Sequence, residues 1–203
     1  MARPAYSDDE RQRIEAEIRE AALRCFGRMG YRAASMRSIA AELGWSAPAL
    51  YRYYENKEAL IAAVRAEGFL ELSEALAALR RANGASLEVI RAAMVTYLEF
   101  ARDRSDLYQL MYELDQGEIS EHPDVARNRK AAFAQAEGMA EEYLREAGAT
   151  GDANRMAHLF WIGAHGLAAL AVANQLDLGQ SYEELVEPLL DMVLGGNLLG
   201  AAG

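Results

Sequence analysis

The 203-residue chain predicts an all-α protein of about nine helices, and three observations lead there. Alanine, leucine, glutamate and arginine dominate a composition that is 52% hydrophobic, and all four favour the helical backbone. Only four prolines interrupt them. Apolar residues recur three and four apart in successive runs, each bounded by a capping residue or a glycine, and that spacing gathers one face of a helix.

Residues 1–6 read as a loose arm, with Arg3 available to a phosphate. Ser7-Asp8-Asp9-Glu10 is a capping box whose acids lie on the positive end of the helix dipole. The first helix keeps Ile14, Ile18, Ala22, Cys25, Phe26 and Met29 on one side and ends at Gly30. Cys25 is the single cysteine, so the chain has no disulfide framework of its own and no cysteine-rich zinc site. Its spacing makes it a small core residue.

Two short helices follow, at about 35–43 and 47–53, with a tight break between them. Ser35 caps the first, and Met36, Ile39, Ala40 and Leu43 form its apolar face. Gly44 supplies the backbone freedom that a sharp turn needs. Ser46 is placed to cap the second, and Pro48 is tolerated in a first turn whose N–H groups have no helical partner. Leu50 and Tyr54 point inward, four apart, which leaves Ser46, Ala47, Ala49, Tyr51, Arg52 and Tyr53 on or near the outer side. Small residues at the helix start let the backbone approach a groove floor, and the tyrosines and arginine supply donors to phosphate oxygens. This is the pattern of a DNA-binding helix-turn-helix.

The run Ile39-Ala40-x-x-Leu43-Gly44, followed by Pro48-Ala49-Leu50-Tyr51-Arg52-Tyr53-Tyr54-x-Asn56-Lys57-Glu58-x-Leu60, resembles the N-terminal domain of TetR-type transcriptional repressors. The specific likeness covers roughly residues 10–66. Beyond it, length, helical character and Trp161…His165-Gly166 are similar to one of the family's C-terminal domain types. The resemblance implies a helix-turn-helix domain over residues 1–55 and an effector-binding and dimerisation domain over 56–203, with the fourth helix linking the two. It also implies DNA contacts from Arg37, Ser46, Ala47, Pro48, Ala49, Tyr51, Arg52, Tyr53 and Lys57. Family members often place a longer polar residue at position 47, and Ala47 cannot hydrogen-bond a base edge. Specificity then leans on Arg37, Ser46, Tyr51, thymine methyls and DNA shape.

The net charge of −10 is unevenly spread. Residues 1–66 hold 11 Lys/Arg against 9 Asp/Glu (+2), and residues 67–203 hold 10 against 22 (−12), which together give −10. The acidic charge belongs to the second part, where it either keeps the surface soluble or turns that part away from DNA.

Asn56 caps a fourth helix, about 56–82, with Lys57 in its first turn. A cation is disfavoured at that end of the dipole, and a phosphate lying at the helix N-terminus would account for it. Leu60, Ile61, Val64, Leu72, Leu76 and Leu79 give this helix an apolar stripe about 40 Å long, with only Gly68 as an interruption. A turn at 83–86 leads to a fifth helix carrying Ile90, Met94, Tyr97, Leu98 and Phe100. A polar break, Arg102–Asp106, precedes a short sixth helix from Leu107 to Leu114. Gly117 to Pro123 is a connection in which His122 is a turn residue. A seventh helix, about 124–147, presents Phe133, Ala136, Met139, Ala140, Tyr143 and Leu144. An eighth runs from Asp152 to about Leu176, and Ser181 caps a ninth, Tyr182 to about Leu194, where Pro188 predicts a kink or a late start. The glycine-rich end, 195–203, reads as ragged.

Residues 156–173 approach transmembrane length, but two histidines and many small residues suit a buried or dimer-forming helix better. No leader segment opens the sequence, so a cytoplasmic location is expected. His158 and His165 lie seven apart with no further ligands at metal-site spacing, and no nucleophile–base pairing or phosphate loop is present. No metal, cofactor or catalytic activity is therefore expected. Tyr97, Phe100, Tyr108, Met111, Tyr112, Phe133, Trp161 and His165 either fill a core or line a mostly apolar pocket. The resemblance favours a pocket, for a small, largely hydrophobic effector. The resulting expectation is a homodimeric repressor of a near-palindromic double-stranded operator, released when effector binding alters helices 4 and 6. Helices 8 and 9, with Leu167 and Ala168 among their contacts, are expected to form the dimer interface. The alternative is a dimeric DNA-binding regulator controlled by a protein partner without a small ligand.

Overall fold

The structure, a computed structural model, describes residues 7–83, 86–112, 122–176 and 178–195. The expected arm with Arg3, the middle of the 83–86 turn, Leu114, most of the 117–123 connection and the end beyond 195 lie outside the described residues. Among those described there are nine helices and no strand: α1 (Asp8–Met29), α2 (Met36–Glu42), α3 (Ala47–Leu50), α4 (Lys57–Asn83), α5 (Leu87–Asp103), α6 (Ser105–Tyr112), α7 (Pro123–Glu146), α8 (Ala153–Val172) and α9 (Tyr182–Gly195). They form two compact units, Met1–Glu67 with Tyr112–Ala126, and Gly68–Met111 with Arg127–Gly203. Helix α4 contributes to both.

In the first unit, Ser7 and Glu10 make the reciprocal capping box that the sequence predicts. Helix α1 buries Ile18, Ala21, Ala22, Leu23, Cys25 and Phe26, whereas Met29, expected on the same side, is exposed in the last turn. Helix α2 packs on α1 and α3. Gly44, at φ 69°, makes the turn between α2 and α3 in a region that a side chain would strain. Helix α3 is only four residues long. The amide of Tyr53 bonds to the Leu50 carbonyl, three residues back, which tightens the chain into a turn where the sequence predicts a further helical turn. Ser46 holds the N-cap position without making a side-chain capping bond, contrary to expectation, and Pro48 occupies the first turn.

Leu50 is fully buried, and Tyr54 is half-buried with its hydroxyl 3.2 Å from Arg19. Arg19 also forks onto Glu67, Nε to Oε2 at 2.7 Å and Nη2 to Oε1 at 2.9 Å. This bidentate pair ties α1 to α4 far more directionally than a lysine would.

In the second unit, α8 packs on both α5 and α9. Helix α8 begins at Asp152, whose carboxylate accepts from the Arg155 amide. It stops at Val172, short of Leu176, because Asn174 takes a left-handed φ of 52° and the Gln175 amide returns to the Leu170 carbonyl. Leu167 and Ala168, expected at a dimer interface, are buried inside the protomer, 7% and 1% exposed. The outward stripe of α8 is instead Leu159, Ile162 and Leu170, with Gly166 between them. Among the described residues, no helix is long and apolar enough to cross a membrane. Helix α9 runs unbroken through Pro188, which lies on its exposed side.

Two glycines in this unit are sites of close approach. A Cβ on Gly68 would lie 2.6 Å from Met111 Sδ and 3.0 Å from Leu107 Cδ1, so α6 seats on α4 where there is no side chain. A Cβ on Gly138 would lie 2.6 Å from Arg80 Cζ. Through that notch Arg80 reaches Glu142, Nε to Oε1 at 2.8 Å, and the ion pair holds the Glu142 carboxyl below the usual range. The pair is partly exposed, so its worth is of order 0.5 kcal/mol. A double-mutant cycle of Arg80→Ala with Glu142→Ala, read by urea unfolding, should show that coupling in the native background. In a Gly138→Ala background the coupling should vanish. Coupling that survives Gly138→Ala would mean that the notch does not route the pair.

Candidate functional site

The expected interface residues fall into two groups. Arg37, in the first turn of α2, is exposed, as are Ser46, Pro48, Tyr51 and Arg52 in and around α3. Ala47, Ala49 and Tyr53 are half-buried, and Tyr53 leans on Trp45 with ring centroids 5.9 Å apart. Helix α2 starts on a reciprocal cap in which Ser35 Oγ accepts from the Ser38 amide at 3.1 Å and Ser38 Oγ accepts from the Ser35 amide at 2.9 Å. Between Ser35 and Tyr54 the single acidic residue is Glu42. Hydrogen bonds from Arg28 at 2.9 Å and Arg24 at 3.2 Å hold its carboxyl below the usual range and offset its charge. A segment presenting arginine, tyrosine, serine and small residues, its one acid neutralised from behind, is chemically suited to a polyanion.

Lys57 departs from expectation. Asn56 caps α4 as predicted, its Oδ1 accepting from the Ala59 amide at 2.7 Å. The Lys57 ammonium, however, donates to three backbone carbonyls, Tyr31 at 3.0 Å, Arg32 at 3.3 Å and Ala34 at 3.1 Å. An ammonium has three protons, and here three carbonyls take them. What offsets a cation at the positive end of α4 in this structure is a ring of carbonyl dipoles.

The aromatic residues of the second unit are only partly gathered. Tyr97 of α5 and Tyr108 of α6 direct their hydroxyls to His165 Nδ1 of α8, at 3.1 Å and 2.7 Å. The tautomer of the ring sets the direction of these bonds: a bare Nδ1 accepts from a phenol, and an Nδ1–H donates to one. Burial pushes the His165 imidazolium below its ordinary pKa, so the ring is held neutral. Trp161 lies one turn before His165, with centroids 6.2 Å apart, and meets Phe133 of α7 edge-on at 6.3 Å. Tyr97 and Tyr108 are themselves edge-to-face at 6.0 Å.

Five of the eight candidates thus form one continuous contact chain. Met111 sets its sulfur against Gly68, Phe100 is half-buried on α5, and Tyr112 belongs to the first unit. His158 adjoins the same chain: its ring lies tilted on Phe133 at 4.4 Å and on Trp161 at 6.4 Å, and its Nδ1 meets the Asn154 carbonyl at 2.8 Å.

Sequence reasoning missed Arg65, which is 3% exposed. The signal was present, since Arg65 lies four residues from both Ile61 and Phe69 and shares their buried face of α4. Arg19 gave no comparable signal, because its partner Glu67 lies 48 residues away.

Comparison with known proteins agrees with this geometry. The family description "Bacterial regulatory proteins, tetR family" matches residues 18–64, and "Tetracyclin repressor-like, C-terminal domain" matches residues 90–193, about half of the chain. No curated protein matches by sequence. Among solved structures, a Rhodococcus sp. RHA1 protein of unknown function is 26% identical, with a TM-score of 0.77 over 92% of this chain and 95% of its own. A TetR/AcrR-family transcriptional regulator from Thermobifida fusca YX-ER1 is 22% identical, with a TM-score of 0.70 over 91% and 98%. The transcriptional regulator FadR from Bacillus subtilis, solved in complex with stearoyl-CoA, is 17% identical, with a TM-score of 0.76 over 89% and 98%. With both halves of the family pattern in place, the chain belongs to the TetR family of bacterial DNA-binding transcriptional regulators.

Proposed function

We propose that the chain is a homodimeric repressor whose residues 1–55 bind a near-palindromic double-stranded operator and whose residues 56–203 pair the protomers and bind a releasing effector. The observation that carries the DNA-binding part is the exposed set Arg37, Ser46, Pro48, Tyr51 and Arg52, on helices whose one acid is neutralised by α1. Arg37 and the two tyrosines, Tyr51 and Tyr53, position the protein on phosphates, while Ala47 and Ala49 allow close approach to thymine methyls. Replacing Arg37 by Ala should lower the slope of log affinity against log salt by about 0.9 per chain, roughly two for a dimer. An unchanged slope, measured on a duplex selected from a random pool, removes Arg37 from the contact set.

Pairing of protomers is supported by the apolar stripe of α8. Ile162 is 64% exposed and Leu170 48%, and a Cβ at Gly166 would meet nothing within 4 Å. Met192 of α9 is 66% exposed. Such a stripe, with a glycine at its centre, suits close packing against its own symmetry mate. Two recognition segments about 34–36 Å apart would then read half-sites one helical turn apart. Ile162→Glu should leave the circular dichroism melt nearly unchanged and give a monomer in sedimentation at low micromolar concentration. A persistent dimer places the interface elsewhere.

The effector reading rests on the Tyr97–Tyr108–His165 hydroxyl–imidazole network beside Trp161 and Phe133. A neutral histidine held by phenols among aromatic rings suits a small, mostly hydrophobic molecule with one polar group. FadR, bound to stearoyl-CoA, shares the fold and carries an apolar chain with a polar head. Displacing Tyr108 from His165 would move α6, and Leu107 and Met111 would carry that movement to Gly68 of α4. Coupling of this kind is typically about 1–3 kcal/mol, and it requires a ligand that binds the two states unequally. Trp161→Phe and His165→Gln should keep affinity for the selected duplex within about threefold while weakening release by a hydrophobic inducer found by thermal-shift screening. Loss of DNA binding in step with loss of thermal stability would mark both residues as structural.

A further inference from the structure

The segment between α1 and α2 has a backbone problem that Lys57 solves. Gly30 ends α1 at φ 78°, and the Ala34 amide returns to the Gly30 carbonyl at 3.1 Å, which closes a five-residue turn. That closure leaves the carbonyls of Tyr31, Arg32 and Ala34 converging on one point, with those of Tyr31 and Ala34 partly buried. Partly buried carbonyls need a donor, and a tetrahedral ammonium on a flexible stem supplies three from a single atom. The Lys57 Nζ sits at that point, reached from the first residue of α4, 23 to 26 residues further along the chain. The next residue after the clamped turn is Ser35, the N-cap of α2, and α2 carries Arg37 and packs on α3.

We infer that Lys57 is a positioning residue: its ammonium ties the Tyr31–Ala34 turn to the start of α4 and thereby sets the placement of α2 and α3 on DNA, without itself touching phosphate. The inference rests on the DNA-binding reading above and replaces the phosphate contact that the sequence predicts for this lysine. It also gives Arg at position 57 a distinct meaning. A planar guanidinium keeps the charge and can grip a phosphate, but its fork cannot serve three carbonyls converging on one point.

The test uses the full chain and a duplex that the wild-type protein enriches from a random pool, with a scrambled duplex beside it. Lys57→Met, Lys57→Gln and Lys57→Arg are compared with wild type by affinity for both duplexes over a salt series, and by hydrogen exchange at the 31–37 amides. The expected result is a tenfold or greater loss on the selected duplex for Lys57→Met and Lys57→Arg. The scrambled duplex should be nearly unaffected, the salt slope unchanged, and exchange faster in the turn. Lys57→Gln, which keeps two donors, should fall between them and wild type.

A phosphate role gives the opposite pattern. Lys57→Met would then weaken both duplexes alike and lower the slope by about 0.9 per chain, and Lys57→Arg would bind as wild type. A role in stability alone would leave the specificity ratio of the folded fraction unchanged, and unfolding of every variant would assign Lys57 to global stability; each overturns the positioning claim. Failure of the wild-type chain to enrich any duplex is a separate result, since it removes the DNA-binding reading itself.

Discussion

One continuous helix constrains everything else. Helix α4 runs for 27 residues, and the boundary between the two compact units falls inside it, between Glu67 and Gly68. The sequence tolerates Gly68 there although glycine weakens a helix by roughly 1 kcal/mol relative to alanine. The reason lies in packing, because Leu107 and Met111 occupy the space that a side chain would take. Each unit grips its own part of the rod: Lys57 and the Arg19–Glu67 fork in the first, Gly68 and the Arg80–Glu142 pair in the second.

The parts of this structure that were legible in the sequence are those fixed by residues three or four apart. Ser7, Ser35, Asn56, Ser86, Asp152 and Ser181 each accept a hydrogen bond from an amide three residues on, so six helix starts could be read locally. The helix-turn-helix was legible for the same reason, with Gly44 marking its turn by a positive φ. What stayed hidden depends on long-range packing. Lys57 reads as a phosphate contact from its place in the first turn of α4, because the carbonyls that it holds lie two dozen residues upstream. Leu167 and Ala168 looked like interface residues because an apolar helix with small residues on several sides has no unique outward face by pattern alone. Of the aromatic candidates, Tyr97, Tyr108, Phe133, Trp161 and His165 met one another. The seat of the Met111 sulfur against Gly68 was equally hidden, because it needs α6 laid on α4.

Charge is managed locally rather than by total. The chain is strongly acidic, yet the acid in the α2–turn–α3 segment is held between two arginines of α1, and the segment's own arginine, Arg37, is left outward. Exposed pairs of this kind add little to stability, of order 0–1 kcal/mol each. Their effect is to shape the field over one face, and a net charge of −10 for the whole chain says little about what that face attracts.

The chain contains two tryptophans, and they fall one to each unit. Trp45 rests on Tyr53 beside the helix-turn-helix, and Trp161 stands between Phe133 and His165 in the aromatic network. The two indoles are therefore separate natural fluorophores, each in contact with a different candidate site. Replacing either by phenylalanine leaves the other as a lone emitter. Quenching of Trp45 and of Trp161 then reports two events in one molecule as distinguishable optical signals, with no label attached.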